Sequence, residues 1–415
     1  MPIASGVFKQ LAYKLESSYG AAPGQSGAQS LRRVQSTLNL TKDTYQSAEI
    51  RTDQQMADFR HGVRRVAGQI QGELSPGTWK DLFATILKRD FAAVTASTAV
   101  SLTIAGTGPT YTLTRAAGSW LTDSYKVGMV VRLSVGSLNA ANINKNLLIV
   151  DITSATVMSV MPLNGVALVA EGPTAGCTVT ATGKSTYIPA TGHTDKSLAF
   201  EHWYSDPGFA QSELFLGCKL SQAQIELPPT GIATINWDVM GQDMAETTAK
   251  RGGVAPTAQY FTSPTAATAT GLVQSVNGVV RIGGVSVAVL TGLSLTIASN
   301  YTGDSVVGSN VVPNQFPGRV LVSGQATMYF DGVTMRDAFI NESEVDILTA
   351  FSSDNTATSD FITMVLPRVK FGGAQKDDGE KGLVQTVPFQ ALFNSAGGTG
   401  IKTEKTTFLI QDSQA

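Results

Sequence analysis

The fold is indicated most clearly by the stretch Ala233-Thr-Ile-Asn-Trp-Asp-Val239, in which apolar and polar residues alternate at every position. Its odd-numbered residues, among them Trp237, are apolar, and the even-numbered residues Thr234, Asn236 and Asp238 are polar. Successive side chains of a β-strand point to opposite faces, so this alternation predicts a strand with one buried face and one face exposed to water. The polar set is then expected to face away from the protein core.

The same alternation recurs outward along the chain, rich in Val, Ile, Thr and Phe and broken by Gly and Asn. Residues 293–297 and 320–330 repeat the pattern. Residues 361–371 and 383–393 are more continuously apolar, which predicts strands covered on both sides. The chain is therefore predicted to be mainly β, of the α+β type.

One amphipathic helix stands out against this background. Ser75 is placed to cap it and Pro76 suits its first position, and the residues from Trp79 to Leu87 carry an apolar stripe at helical spacing. We expect the Trp237 face of the strand to pack against this stripe or against an opposing sheet. A shorter helix is predicted over 334–339, where Thr334 and Asp337 have the spacing of a capping box.

The composition changes near Ala92 and again near Thr191. Between these points lies a Thr-, Ser-, Ala- and Val-rich stretch with glycine-marked turns, which predicts a small inserted β module over residues 92–191. The flanking segments, 1–91 and 192–415, are predicted to form one discontinuous domain. The module is expected to contain six short strands, at 100–104, 111–114, 130–133, 147–152, 157–161 and 177–182.

Composition and charge narrow the classes of function. The chain has 415 residues, which suggests two or three domains, with 30 Lys+Arg against 32 Asp+Glu. A protein that holds nucleic acid usually carries a basic excess, which this chain lacks. Two cysteines do not make a disulfide framework, and the charged N-terminal residues Lys9, Lys14 and Glu16 do not suit a signal peptide. We expect a chain made in the cytoplasm, with no membrane anchor.

No catalytic, cofactor or metal site is predicted. His61, His193 and His202 have no second ligand at metal-binding spacing, and Gly183-Lys-Ser185 lacks the earlier glycine of a phosphate-binding loop. The basic cluster Arg60–Arg65 is the one charge feature above background. It fits a solvated strand edge, which is the favoured interpretation, or a complementary patch at a subunit junction.

Several segments, taken together and in order, resemble the tail tube protein family of long-tailed bacteriophages. They cover about three quarters of the chain, with residues 92–190 departing from the pattern. The segments are Phe8–Pro23, Gly72–Pro76, Ser197–Tyr204, Phe215–Val239, Phe316–Phe330, Val365–Val369 and Val387–Ala391.

The resemblance implies a β-sandwich or barrel subunit with one flanking helix, which assembles into stacked hexameric rings as the conduit for genome ejection. It implies a structural protein of the virion tail, assembled in the host cytoplasm, with no enzymatic activity, cofactor or metal. The expected partners are further copies of the chain, the tape measure, terminator and distal tail proteins, and DNA in non-specific transit. The inserted module would decorate the outer surface.

Two sets of residues become candidate functional residues on this interpretation. The segment 35–60 is predicted to be a long loop that reaches the ring above or below, although a mobile hairpin is an equal alternative. The inter-subunit candidates are Arg60, Arg64, Arg65, Asp53 and Asp58. Thr234, Asn236 and Asp238 are expected to line the lumen or a subunit seam.

A different class of protein fits some of the same features. A β-rich adhesion or carbohydrate-binding protein of a virion or cell surface would also have Ser/Thr-rich strands and long loops. Such a protein is expected to display an exposed aromatic platform. The chain has four Trp and 7% aromatic residues, mostly at alternating core positions, which argues against this alternative. An enzyme ranks third, because no nucleophile–base arrangement is recognisable.

Overall fold

The computed structural model of the protein describes residues 3–206, 208–378, 380 and 382–415. The chain is mainly β, with two short α-helices in this described part. The first segment comprises β1 (Lys9–Leu15), β2 (Gln29–Ser30), β3 (Gln35–Ser36), β4 (Asn39–Gln46), β5 (Phe59–Glu73) and α1 (Lys80–Ile86). Next come β6 (Ser97–Ala105), β7 (Tyr111–Arg115), β8 (Val130–Ser134), β9 (Leu147–Ile152), β10 (Val157–Pro162) and β11 (Glu171–Ala181).

The remaining elements follow the inserted stretch. They are β12 (Lys184–Tyr187), β13 (Leu198–Asp206), β14 (Phe209–Leu227), β15 (Thr234–Gly241), β16 (Asp243–Met244), β17 (Gly278–Ile282), β18 (Val285–Ser286), β19 (Leu290–Ala298) and β20 (Leu321–Tyr329). The last are α2 (Thr334–Ile340), β21 (Val345–Ser352), β22 (Phe361–Phe371), β23 (Gln375–Lys376), β24 (Val384–Ala391) and β25 (Leu409–Asp412). Three 3₁₀ turns lie at Gly6–Phe8, Ala140–Asn142 and Leu163–Gly165.

The main sheet is antiparallel and runs from β4 in the spatial order β4, β5, β15, β14, β19, β20, β24. It continues beyond β24, which also pairs with β22 and β23. β14 is long enough to pair with two groups of strands. Its first half pairs with β13, and its second half pairs with β15 and β19. Gly217 lies near this change of partner with φ of 63°, a left-handed conformation that favours glycine. An added Cβ there would also lie 2.7 Å from the Gln242 side chain.

Trp237 is fully buried in the main core, as its place in the alternating stretch predicts. Its ring lies 5.0 Å from that of Phe83 and 6.2 Å from that of Trp79, centroid to centroid. The predicted packing of the strand on the helix stripe is therefore confirmed. Gly72 makes room for this arrangement, because a Cβ at that position would lie 2.3 Å from the Trp79 ring.

The predicted start of the first helix was wrong. α1 begins at Lys80, and no side chain caps it. Ser75 is instead hydrogen-bonded through its hydroxyl to that of Thr78 at 2.6 Å, within a turn that precedes the helix. The second helix is present at Thr334–Ile340, but its predicted capping box is not, because no side-chain capping bond forms there.

Of the two strands predicted to be covered on both sides, only one is. The first six residues of β22 are all buried, which confirms that prediction for this part of 361–371. β24, in contrast, alternates between buried and exposed positions, so the prediction for residues 383–393 was wrong. The outward positions of β24 include Pro388 and Gln390 on the face that it shares with β20.

The inserted stretch contains a closed six-stranded barrel in the order β10, β7, β6, β11, β8, β9. All six short strands predicted there are present. The barrel core, which includes Trp120 and Tyr125, is continuous with buried side chains of β21, β22 and β25, among them Leu348 and Val365. Gln411 on β25 bonds the backbone of Val130 through both its amide oxygen and its amide nitrogen, so the barrel is fastened to the main body.

Candidate functional site

Thr234, Asn236 and Asp238 lie on the face of β15 opposite Trp237, as predicted. Thr234 is exposed, and the other two are half-buried. Their neighbours in register are also polar: Asp238 lies between Gln69 and Gln222, and Asn236 between Gln71 and Gln224. The Gln69 side chain donates a hydrogen bond of 2.8 Å to the Asp238 carboxylate. This part of the sheet therefore presents an ordered row of amides and hydroxyls.

The polar surface continues across six strands of the main sheet. We call the following set the polar face: Gln69, Gln71, Glu73, Gln222, Gln224, Glu226, Thr234, Asn236, Asp238, Ser294, Thr296, Ser323, Gln325, Thr327, Thr386 and Gln390. The ionisable members are Glu73, Glu226 and Asp238, all carboxylates. No residue of the set is a lysine or arginine, so the polar face carries negative charge, a distribution that repels phosphate groups. A cation lies at its border, because Lys370 on β22 is opposite Gln390 in register, and it is paired with Glu342 at 3.4 Å.

Residues 35–60 do not form the predicted long loop. They comprise β3, β4, an irregular connection over 47–58 and the start of β5. β4 pairs with β5 as an antiparallel hairpin, which agrees with the alternative in its hairpin topology and confines the loop to 47–58. Every residue from Thr44 to His61 is exposed, so we call this end of the hairpin the hairpin arm (residues 44–61). β4 pairs with no described strand other than β5, and its outer edge therefore offers free backbone groups to a partner strand.

Four of the candidate charged residues form ion pairs inside the hairpin. Arg60 pairs with Asp58 at 2.6 Å, and Asp53 pairs with Arg51 at 2.7 Å. Arg65 lies 3.4 Å from Asp43 on the neighbouring strand. All these groups are largely exposed, and exposed pairs of this kind contribute little to stability. Their predicted contacts with another subunit stay predictions.

Arg64 lies in a different environment from the rest of the basic cluster. Its side chain is only 13% exposed, and it pairs with Asp243 at 2.9 Å and Glu246 at 3.1 Å. Lys250 binds the same two carboxylates. Arg64 therefore holds β16 and the segment after it against β5 within one chain. Sequence spacing could not reveal this contact, because the partners lie far apart along the chain.

Apolar side chains on the hairpin arm are functional candidates that the sequence reasoning missed. Ile50 is 99% exposed, Met56 60%, Tyr45 57% and Phe59 46%. Side chains of this size are unusual at the tip of a hairpin that has no core of its own. The sequence does contain these apolar residues, spaced among charged ones. The prediction of inter-subunit contacts named only the charged residues.

Ser36, His202 and Glu213 form an arrangement that resembles a catalytic triad. The Ser36 hydroxyl lies 2.8 Å from His202 Nε2, and Glu213 Oε2 lies 3.5 Å from Nδ1. Burial lowers the pKa of His202, and the neighbouring His202 side chain lowers the pKa of the Glu213 carboxyl. Ser36 and His202 are both buried, which leaves a substrate no access to the hydroxyl. We interpret the arrangement as a polar contact that fixes β3 on β13.

Two further searches bear on the class of protein. No group of three or more His, Cys, Asp or Glu side chains in the described ranges is arranged to hold a metal ion. None of the helices in that same part of the chain is both long and apolar enough to cross a membrane. The features that stand out are extended ones, namely the polar face, the open strand edge and the hairpin arm. They define a protein that acts through its surfaces.

Comparison with known families identifies this class. The sequence model of the family described as Phage tail tube protein matches residues 9–391, nearly the whole chain. The chain therefore belongs to the phage tail tube protein family. No curated protein sequence matches it. Family membership makes it a structural protein of the bacteriophage virion tail and implies association with copies of itself and with other tail proteins. It also favours this interpretation over the adhesion alternative.

Proposed function

We propose that six copies of the chain close into a ring, that the rings stack into the tail tube, and that the genome passes through its lumen during ejection. The observation that carries the proposal is the polar face, a continuous surface over six strands with three carboxylates and no basic residue. DNA binds proteins mainly through its phosphates, so a lumen without cations lets it slide. The polar face is the surface that we assign to the lumen.

Ring closure would use the free edge of β4. An unpaired strand edge invites pairing with another chain, and in a ring the β4 edge of one subunit would pair with a strand of the next. β4 is exposed along most of its length, which leaves its backbone accessible for such pairing. The sheets of neighbouring subunits would then join into one continuous wall.

The hairpin arm is assigned to contacts between rings. Ile50 and Met56 would be buried on the adjacent ring, with Arg51, Asp53 and Asp58 at the polar rim of the contact. The inserted barrel would project from the outer wall. Assembly would take place in the host cytoplasm, with the tape measure, terminator and distal tail proteins as further partners, and without catalysis.

Assembly is the first test. The purified chain, concentrated or seeded with virion extract, should form tubes visible by negative-stain electron microscopy. Monomers alone under both conditions would contradict the proposal. A defined small oligomer would contradict it as well, and would favour the adhesion class.

The lumenal assignment has its own test in Asp238→Lys, with Asp238→Ala as the matched control. The lysine variant would place a ring of positive charge in every layer of the tube, so virions should assemble but eject DNA slowly. The delay should grow at low salt, where attraction to phosphate is strongest. The alanine variant should eject normally. Equal ejection rates for the two variants at low salt would show that Asp238 does not face the lumen.

A further inference from the structure

A polar cleft of about 640 Å³ lies where the inserted barrel meets the main body. Its floor is the connecting segment 92–98, through which the chain enters the barrel. The barrel contributes Arg115 and Lys126, and the main body contributes Arg89 and Tyr187. The cleft therefore lies at the neck of the insert, between two parts of the chain that are far apart in sequence.

Arg89 is the unusual residue of this cleft. Its guanidinium carbon lies over the Tyr187 ring, 3.9 Å from the ring centroid. Its Nη1 atom is buried and donates to no described residue. Nε and Nη2 of the same guanidinium are not among the buried atoms without a partner, and neither donates to a described residue. These two accessible donors are free for a planar, oxygen-rich anion in the cleft.

The other two cations of the cleft already have acceptors within the chain. Arg115 is paired with Asp123 at 2.6 Å, so its charge is already balanced. Lys126 donates to the backbone oxygens of Gly398 and Ile401 at 2.6 and 2.8 Å, and forms no ion pair with a described residue.

The charge balance of the lining favours an anion. The lining carries the positive charges of Arg89, Arg115 and Lys126 against the negative charges of Asp123 and Glu404. One positive charge is therefore in excess.

We propose that this cleft binds a small anion bearing a carboxylate or phosphate group, with Arg89 as its principal ligand. The anion would accept hydrogen bonds from the Arg89 guanidinium, and hydroxyls such as Ser97 and Ser185 line the same space. Because the cleft is walled by both the barrel and the main body, a bound anion would tie the insert to the main body. This role is separate from tube formation.

Calorimetric titration of the full chain tests the proposal, with inorganic phosphate and citrate as the two probes. Arg89→Met removes the guanidinium and keeps an apolar stem for Tyr187. Arg336→Met is the matched control, because Arg336 is an exposed arginine on α2 that is paired with Asp337. Both anions also stabilise proteins non-specifically by exclusion from the surface, so chloride at equal ionic strength serves as the reference.

At least one probe should bind the native chain and Arg336→Met equally, and its affinity for Arg89→Met should fall about tenfold or more, the loss expected for a charge-assisted bond. Phosphate binding without citrate binding would identify a phosphate site, and the reverse a carboxylate site. Equal affinity in all three proteins, or no saturable binding of either probe, would overturn the proposal. If Arg89→Met does not fold, Arg89→Lys replaces it in the titration. This variant should bind the anion more weakly than the native chain does. Unchanged binding would contradict the role of Arg89.

Discussion

In the inserted barrel every strand is hydrogen-bonded on both sides, whereas β4 of the main sheet has a described partner on one side only. The barrel closes within one chain and needs no neighbour to satisfy its backbone. An open edge, in contrast, is either protected or used for association. This difference supports the proposal that the edge of β4 takes part in assembly. It also agrees with a family whose members associate with their own copies.

The two regions also differ in how their faces are used. The barrel has an apolar interior filled by side chains such as Trp120 and Leu133. The main sheet has an apolar face around Trp237 and an opposite polar face that is amide-rich and acidic. An antiparallel sheet commonly has one face on the core and one in water, so the polar face is accessible to a partner outside the chain. We propose above that this partner is DNA in transit.

The largest expected effect is the loss of the Trp237 side chain. Trp237→Ala should destabilise the main body by roughly 3–5 kcal/mol, the usual cost of truncating a large buried aromatic, and leave little soluble protein. Asp238→Ala, one residue along, should fold nearly normally, because a partly exposed carboxylate contributes little. Soluble yield and urea unfolding measure both effects. The reverse pattern would mean that the two faces of β15 are assigned the wrong way round.

Truncation of a buried tryptophan in the barrel, Trp120, tests whether the barrel and the main body unfold separately. Trp120 is fully buried, packs edge-on against Tyr125 and donates its indole hydrogen to the Thr156 carbonyl. Trp120→Ala should unfold the barrel at a cost of similar size, again roughly 3–5 kcal/mol, but leave the main body folded. Hydrogen exchange resolved along the sequence would detect this. Simultaneous loss of protection in both regions would show that they fold as one unit.

Removal of the insert should affect solubility before it affects assembly. Replacing residues 97–181 with a Gly/Ser linker would uncover Leu348 and Val365, which the barrel buries, so the shortened chain should aggregate. Adding Leu348→Thr and Val365→Thr should restore solubility and allow tubes to form, as seen by negative staining. A soluble shortened chain that forms no tubes would place the barrel in the tube wall.

Substitution on the hairpin arm should separate folding from assembly. Ile50→Asp combined with Met56→Asp should change the free energy of unfolding by less than about 0.5 kcal/mol, because both residues are exposed in the single chain. The same pair should greatly reduce the tubes recovered by sedimentation. Thr52→Asp is the control, since it adds charge to the arm without removing an apolar group. Undiminished assembly of the double variant would exclude the arm from ring contacts.

A pH-dependent effect is expected at the seam of the two regions. Burial raises the pKa of Asp412 from 3.8 to about 6, despite hydrogen bonds from the backbone of Gly77 and Gln414 and the nearby charge of Lys80. The folded state therefore holds the proton more tightly than the unfolded chain does. Its free energy of unfolding should fall as the pH rises from 3.8 to about 6, and this part should level off above.

Asp412→Asn isolates that contribution. Urea unfolding of the native and variant proteins between pH 4 and 7 gives the difference, which should change up to about pH 6 and then stay constant. A difference that is constant across the whole range would show that Asp412 titrates normally in the folded protein.

The comparison also explains what the sequence could predict. Period-two alternation identified β15 and the six barrel strands, because the face that a side chain occupies depends only on its neighbours along the strand. The start of α1 was missed because Ser75 and Thr78 bond each other instead of the helix backbone. The pairing of Arg64 with Asp243 depends on the folded arrangement, which no local pattern encodes.

The most direct test of the central claim is a helical reconstruction of assembled tubes by electron cryomicroscopy at side-chain resolution. We predict that Thr234, Asn236 and Asp238 face the lumen, that Trp237 faces the subunit core, and that the barrel projects from the outer wall. A map that places the polar face on the outside of the tube, or no map because the chain does not polymerise, would contradict the account.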